Sequence, residues 1–421
     1  VPNWLFEFIN PWTTPLAIVA AIIFVAWVCQ LRGRWLATVA LSAAVGIALW
    51  QAWKAGPPNG LLDLQIYTNA ARAWGNGGSI YDYHDPTFHL SATYPPIGPL
   101  LFTSLTPLTA DGREVLFTAL NLLALFSCVW SVAGLARIDA AKRFTWSAWA
   151  FAAATVTIPV WLTLRQGQIN ILLWLLVLVD LNAIRRSSRR SGIGIGVATA
   201  IKLVPGLFIV WLAATKRWRS TLRALGALAL ATAIGWALAS SDSKLYWTDL
   251  VWHSDRVGSV SDARNNSLLG AIARVIDPGY LRTGLWFVLA AVILVVALIR
   301  SVRASRANDY LAVAAIVGCA TAALSPISWT HHLGFLLVAL VAFVLQAKTF
   351  KAKAACAIAW LILVDPSGHG DEPWLSTVRA LMVIGAVCFT PIRSTDNAKQ
   401  LGPDQTETTP SNLDTNSVLP S

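Results

Sequence analysis

Apolar runs of about bilayer length alternate with short basic clusters along most of this chain. A first run covers roughly Pro11 to Gln30 and meets Arg32 and Arg34. A second covers roughly Trp35 to Trp53, a third Glu114 to Ala136 and a fourth Phe144 to Leu164. A fifth runs from RQGQIN, Arg165 to Asn170, to Ile184 and ends in RRSSRR. Runs of about 17–25 apolar residues predict membrane-crossing helices. Basic clusters mark cytoplasmic loops. Arg32/Arg34, Arg137/Lys142/Arg143 and Arg185–Arg190 then share one side. The N-terminus, the loop after the second run and RQGQIN share the other.

The next segment, Ser191 to Thr215, breaks this alternation. It is apolar, yet RRSSRR precedes it and Lys216, Arg217 and Arg219 follow it. One straight span would put one of those clusters on the wrong side. Two half-helices meeting near Lys202 and Pro205 satisfy both flanks, and proline supplies the break. Such a pair is tolerated where its backbone lines a protein cavity. The simpler alternative is one helix with Lys202 snorkelling.

Further runs cover about Ser220 to Ala239, Gly279 to Leu298, Tyr310 to Ile327, Leu333 to Gln346, Ala354 to Val364 and Leu375 to Thr390. That gives about eleven spans besides the broken pair. Two polar stretches interrupt them. Gly60 to Leu108 holds Asp63, two histidines, several tyrosines and Tyr94-Pro95-Pro96. Ser240 to Pro278 holds His253, Arg256, Arg264 and Asn265-Asn266-Ser267. On this topology all six histidines fall on the extracytoplasmic side, with Asp63, Arg165 and Arg264. A polar stretch of that size beside a membrane helix points to function.

Composition agrees. Hydrophobic residues make up 56% of the 421, and charged ones only 13%, against about 25% in soluble domains. The 21 tryptophans suit interfacial belts. The net charge of +11 would suggest nucleic acid in a soluble chain, but no basic polar domain exists to hold it. Cys29, Cys128, Cys319, Cys356 and Cys388 lie in or near apolar runs without CxxC spacing, and read as buried small hydrophobes. No cleavable signal peptide is expected, since the first run lacks a basic flank and an A-x-A site.

Several chemistries lack their motifs. There is no HExxH, GxSxG or P-loop. His331 and His332 are adjacent, which is poor zinc geometry. No series of intramembrane acids suggests a pump; Asp180 and Asp365 read as interfacial residues.

DLQIYTNAARAWGNGGSIYDY followed by YPPIGPLLFTSLTPL resembles the first extracytoplasmic loop of glycosyltransferase family 87. RQGQINILLWLLVL, GIGVATAIKLVPGLFIVWL, NNSLLGAIAR and SPISWTHHLGFLL resemble that family's later blocks, in the same order. The similarity runs from about Leu61 to Phe335. The resemblance implies an all-α polytopic integral membrane protein of the GT-C fold. It would have about 11–13 transmembrane helices, a broken or re-entrant pair and large extracytoplasmic loops. Residues 1–393 would form one transmembrane domain, with 54–113 and 240–278 as its extracytoplasmic loops and 394–421 as a disordered cytoplasmic tail. An extracytoplasmic N-terminus departs from the usual GT-C plan, which puts the first span's orientation in question.

The family uses polyprenyl-phosphate sugars. Its actinobacterial α-mannosyltransferases extend phosphatidylinositol mannosides and lipomannan; other members are arabinofuranosyltransferases. The pattern D-x-x-x-Y…G-x-x-x-Y-D-Y…Y-P-P looks more like the mannosyl members. The expected partners are therefore a polyprenyl-phosphate sugar donor, a glycolipid acceptor and membrane lipids, with no nucleic acid, cofactor or metal. The expected place is the plasma membrane, with the site facing outward. A lipid or sugar transporter is the alternative from another class.

Transfer from a lipid-linked sugar phosphate needs a base for the acceptor hydroxyl and cations for the leaving phosphate. Asp63 matches the family's catalytic acid by position, and could also serve as N-cap of the helix that follows. Lys202, Arg165, Arg264, His331 and His332 are the candidate phosphate partners. Tyr94, Gln168, Asn170 and Asn266 could bind sugar or acceptor hydroxyls, or simply stabilise local turns. A single displacement would invert a β-linked donor to an α product.

Overall fold

A computed structural model describes residues 33–54, 61–364 and 372–393. The expected first span, Cys29, Asp365, His369 and residues 394–421 lie outside them. The described residues form helices joined by turns and two longer loops, with no strand among them and one isolated bridge, His84 to Ser91.

Three helices are each long and apolar enough to cross a bilayer: Ala110–Leu135, Trp218–Leu238 and Tyr280–Arg306. The expected second span forms α1 (Arg34–Lys54). The polar stretch opens with α2 (Leu62–Gly75) and then a short α3 (Ile97–Leu101). The first long crossing helix is α4 (Ala110–Leu135), started by Thr109, whose side chain accepts from the Gly112 N–H.

The expected fourth span is not straight. It splits into α5 (Ala140–Thr155) and α6 (Ile158–Gln166), bent by 72°. Pro159 stands in the first turn of α6. It has no N–H to continue the ladder, and its ring would clash with the preceding turn. The Thr157 hydroxyl donates instead to the Ala154 carbonyl at 2.6 Å.

α7 (Asn170–Arg185) leads to the broken pair, α8 (Ile193–Ile201) and α9 (Leu207–Ala214). The break falls at Lys202, whose backbone is extended, followed by a 3₁₀ turn at Val204–Gly206. Asp180 is buried rather than interfacial. Its two oxygens accept from the Gly192 and Ile195 N–H groups at 2.7 and 2.9 Å, so it caps α8 from the neighbouring helix. α8 lies directly on α10 (Trp218–Leu238): a Cβ on Gly196 would come within 2.2 Å of the Ala224 carbonyl oxygen.

The second polar loop carries α11 (Ser240–Thr248) and α12 (Leu268–Ala273). It is fastened over the first loop. Buried Asp242 accepts from the Ser79 hydroxyl at 2.5 Å and the Ile80 N–H at 3.2 Å. Arg256 donates to the Ala92 carbonyl at 2.8 Å.

α13 (Tyr280–Arg306) is longer than its apolar run suggested. It flanks α14 (Tyr310–Leu324), buried along nearly its whole length. α15 (Gly334–Val344) and α17 (Pro373–Phe389) also pack on α14, and α16 (Phe350–Val364) packs on α15. A helix apolar all round belongs in the centre of a bundle. By contrast α10 and α13 expose Leu222, Leu230, Phe287 and Val288, as a lipid-facing surface does. The expected spans thus become helices of unequal length around a buried centre. Cys128 and Cys319 are buried in it, while Cys356 and Cys388 are only half-buried.

Candidate active site

Gly167 ends α6 in the left-handed conformation, φ 66°, where glycine has no steric penalty. A Cβ there would also meet the Cβ atoms of Leu64 and Leu61 at 2.7 and 2.8 Å. The turn therefore presses against the start of α2 and delivers Gln168 to Asp63. Gln168 Nε2 donates to Asp63 Oδ2 at 2.8 Å.

Asp63 is not the N-cap of α2. The helix begins earlier, with the Gln65 N–H bonded to the Leu61 carbonyl at 3.0 Å, and Leu61 takes the cap position. Asp63 sits in the first turn, where the helix dipole favours a carboxylate. Its Oδ1 makes no hydrogen bond within the described residues. Burial raises the Asp63 carboxyl from 3.8 to about 6, against the lowering pull of the Gln168 bond and the Lys202 charge.

Tyr94 sits on the far side of Gln168. Its hydroxyl donates to Gln168 Oε1 at 2.7 Å. The Tyr94 ring stacks on Tyr67 with centroids 4.3 Å apart. Tyr67, absent from the expected site, lies four residues after Asp63 on the same helix face. That i, i+4 spacing was the available signal.

Lys202 completes the group. Its Nζ lies 3.0 Å from Asn170 Oδ1, 3.4 Å from the Tyr94 hydroxyl and 3.1 Å from His332 Nε2. Asn170 Nδ2 is taken by the His331 carbonyl at 3.1 Å, so its oxygen faces the lysine. His332 Nδ1 faces the Trp329 N–H at 3.3 Å. The Trp329 N–H at Nδ1 and the Lys202 ammonium at Nε2 compete for the one accepting nitrogen of a neutral imidazole, and the tautomer decides between them. Burial and the Lys202 charge hold both histidines neutral. The Lys202 ammonium, which can only donate, is thus the cation of the group, with the His332 imidazole against it. A slot beside them is lined by Asn170, Lys202 and His332 and by apolar Leu173, Trp174, Val177, Phe208 and Phe335.

The structure gathers Asp63, Tyr94, Gln168, Asn170, Lys202, His331 and His332. It does not bring the other expected residues into that group. Arg165 is exposed and stacks on Trp161 at 5.0 Å. Arg264 pairs with Asp262, Nε and Nη2 at 3.0 and 2.9 Å, and lies over the Trp329 ring at 5.5 Å. Asn266 is fully buried and ties the second loop to the Ser325–His332 segment through Ser328 and Thr330. Asn265, not among the expected site residues, shares that work: its Oδ1 accepts from the Ser267 and Ser328 N–H groups at 3.1 and 3.0 Å.

The all-α bundle with its apolar crossing helices is that of the membrane-embedded GT-C glycosyltransferases. The sequence profile of glycosyltransferase family 87 matches residues 92–326. The chain belongs to that family. It is 30% identical over 314 residues to a polyprenol-phosphate-mannose-dependent alpha-(1-2)-phosphatidylinositol mannoside mannosyltransferase of Mycobacterium tuberculosis, covering 71% of this chain and 73% of the relative. A protein of the same description from Mycolicibacterium smegmatis is 29% identical over 341 residues, 74% of this chain and 77% of its own. A pentamannoside mannosyltransferase from Mycolicibacterium smegmatis is 28% identical over 326 residues, 75% and 77%. No solved structure gives a significant match.

Proposed function

We propose that the protein transfers a mannosyl residue from polyprenyl-phosphate mannose to a glycolipid acceptor of the phosphatidylinositol mannoside type. Transfer takes place on the extracytoplasmic side of the plasma membrane. The activities for which the relatives are named support mannose over arabinose as the donor sugar.

The observation that carries this reading is the Lys202 ammonium set among neutral partners beside the slot. Lys202 Nζ has three hydrogens to give, and a phosphate oxygen is an acceptor for them. As the acceptor hydroxyl attacks the anomeric carbon, Asp63 takes its proton. The bond from that carbon to the phosphate oxygen breaks, and Lys202, with His332 and Asn170 around it, stabilises the charge on the leaving polyprenyl phosphate. One displacement gives inversion, from a β-linked donor to an α product.

The test is transfer by purified protein in detergent or nanodiscs, with radiolabelled polyprenyl-phosphate mannose and a phosphatidylinositol mannoside acceptor. A labelled product with an α-mannosyl linkage is expected. Label that stays on the donor, or a product formed only from an arabinose donor, would overturn the reading.

A further inference from the structure

Both polar atoms of Gln168 are engaged by other side chains of the site. Its side chain is buried. Its Nε2 donates to Asp63 and its Oε1 accepts from the Tyr94 hydroxyl, at 2.8 and 2.7 Å. These partners are distant in sequence, and neither bond stabilises a local turn.

The direction of each bond follows from the one before it. An ammonium can only donate. At 3.4 Å from Lys202 Nζ, the Tyr94 oxygen is therefore the acceptor, and its one hydrogen goes to Gln168. An amide whose oxygen is engaged by Tyr94 must turn its NH₂ toward Asp63. Reversed, the amide would set its oxygen against a carboxylate oxygen. Every donor in the chain points the same way, from Lys202 to Asp63.

The geometry points to Gln168 as a positioning residue for the base, itself held in orientation by Tyr94 and Lys202. It pins Asp63 Oδ2 and leaves Oδ1 for the acceptor hydroxyl. This rests on the reading of Asp63 as the base. It also differs from the role the sequence suggested for Gln168, a contact to substrate hydroxyls.

The charged and titratable groups facing Asp63 are Lys202 at the break between α8 and α9, Tyr67 on α2 and Tyr94 before α3. Both phenols stay neutral under assay conditions, since burial pushes them up. Within the described residues Gln168 is the hydrogen-bond donor to the carboxylate. Removing it should move the Asp63 titration upward.

The experiment measures kcat, KM for each substrate and the pH profile of kcat/KM for purified Gln168→Met, Tyr94→Phe and Asp63→Asn beside the parent. Gln168→Met keeps the length and removes the donor. It should lower kcat by up to about 10²-fold, the scale of a misplaced catalytic group. Both KM values should stay near the parent's, and the acid limb should move to higher pH. Tyr94→Phe keeps the stacked ring and frees the amide to turn, so it should shift the limb in the same direction by less. A raised KM with an unmoved acid limb would make Gln168 a substrate contact and overturn the proposal. If Gln168→Met does not fold, Tyr94→Phe decides alone: a shifted limb supports the proposal and an unmoved one overturns it. Near-parent turnover in Asp63→Asn would fell the base reading itself. An inactive Asp63→Asn with unmoved profiles in the other two would fell only the positioning role.

Discussion

Two basic residues in this molecule are treated in opposite ways. Arg393, after α17, brings its own anion. Its Nη2 lies 2.7 Å from Asp309 Oδ1, its Nε 3.1 Å from Oδ2, and its remaining donors reach the Leu135 and Ala136 carbonyls at the end of α4. Lys202, at the broken helix, has a hydroxyl, an amide oxygen and an imidazole around it. Among the described residues no carboxylate lies within salt-bridge distance of it. A cation that holds a fold together is paired, because an unpaired one costs stability. A cation kept among neutral partners is arranged to receive an anion from outside. The first pair staples three helix ends; the second group is where chemistry can occur.

The largest effect expected is at the base. Asp63→Asn should lower turnover by about 10²–10⁴-fold, the usual range for loss of a general base. It should not lower thermal stability at neutral pH. The sign follows from Asp63 being raised from 3.8 to about 6. The folded state holds that proton more tightly than the unfolded state, so the group's favourable contribution is full below 3.8 and is lost as pH rises through about 6. At neutral pH the ionised carboxylate is a cost that Asn removes. A thermal-shift comparison beside the transfer assay checks both halves.

Lys202→Met should come next. It removes the charge and keeps the length, and a lost charged hydrogen bond of about 1.5–3 kcal/mol lowers kcat/KM for the donor by roughly 10–10²-fold. Steady-state kinetics with the donor varied reads this. A smaller change is expected from pH alone. Parent kcat/KM should fall about tenfold per unit below about pH 6, as Asp63 protonates. A profile flat from pH 5 to pH 7 would contradict it.

Arg393→Ala sharpens the contrast from the other side. Removing one partner of a largely buried pair costs about 3 kcal/mol or more, so the variant should melt earlier, while activity per folded molecule stays near the parent's. The smallest effects belong to Arg165→Ala and Arg264→Ala. Both side chains stand outside the Lys202 group, and surface changes of this kind are worth within about 0.5 kcal/mol. A large rise in donor KM for either would return it to the phosphate site.

The fold was legible where physics acts locally. Apolar run length announced most helices, and a lysine with a nearby proline inside an apolar run announced the break at Lys202. Pro159 also lies inside an apolar run, but the basic clusters flanking that run fit a straight span and a bent one equally well. Lys202 stood out as a lone charge in an apolar run, and Asp63 by its place at the head of the polar stretch that resembles the family's first loop. What could not be read was commitment. Nothing in the local sequence says that Gln168 and Tyr94 spend their polar atoms on each other, or that Arg264 is answered by Asp262 two residues away. Those outcomes depend on how α2, α6 and the loops dock, and that docking is set by contacts such as Gly167 against Leu61 and Leu64.

The most direct test of the contrast is binding without turnover. Short-chain polyprenyl phosphate, which carries the phosphate and lipid but no sugar, can be titrated into parent, Asp63→Asn and Lys202→Met protein in nanodiscs by calorimetry. Asp63→Asn should bind as the parent does, and Lys202→Met roughly 10–10²-fold more weakly, for loss of a charged contact. Equal binding by the parent and Lys202→Met would show that Lys202 is not the anion site.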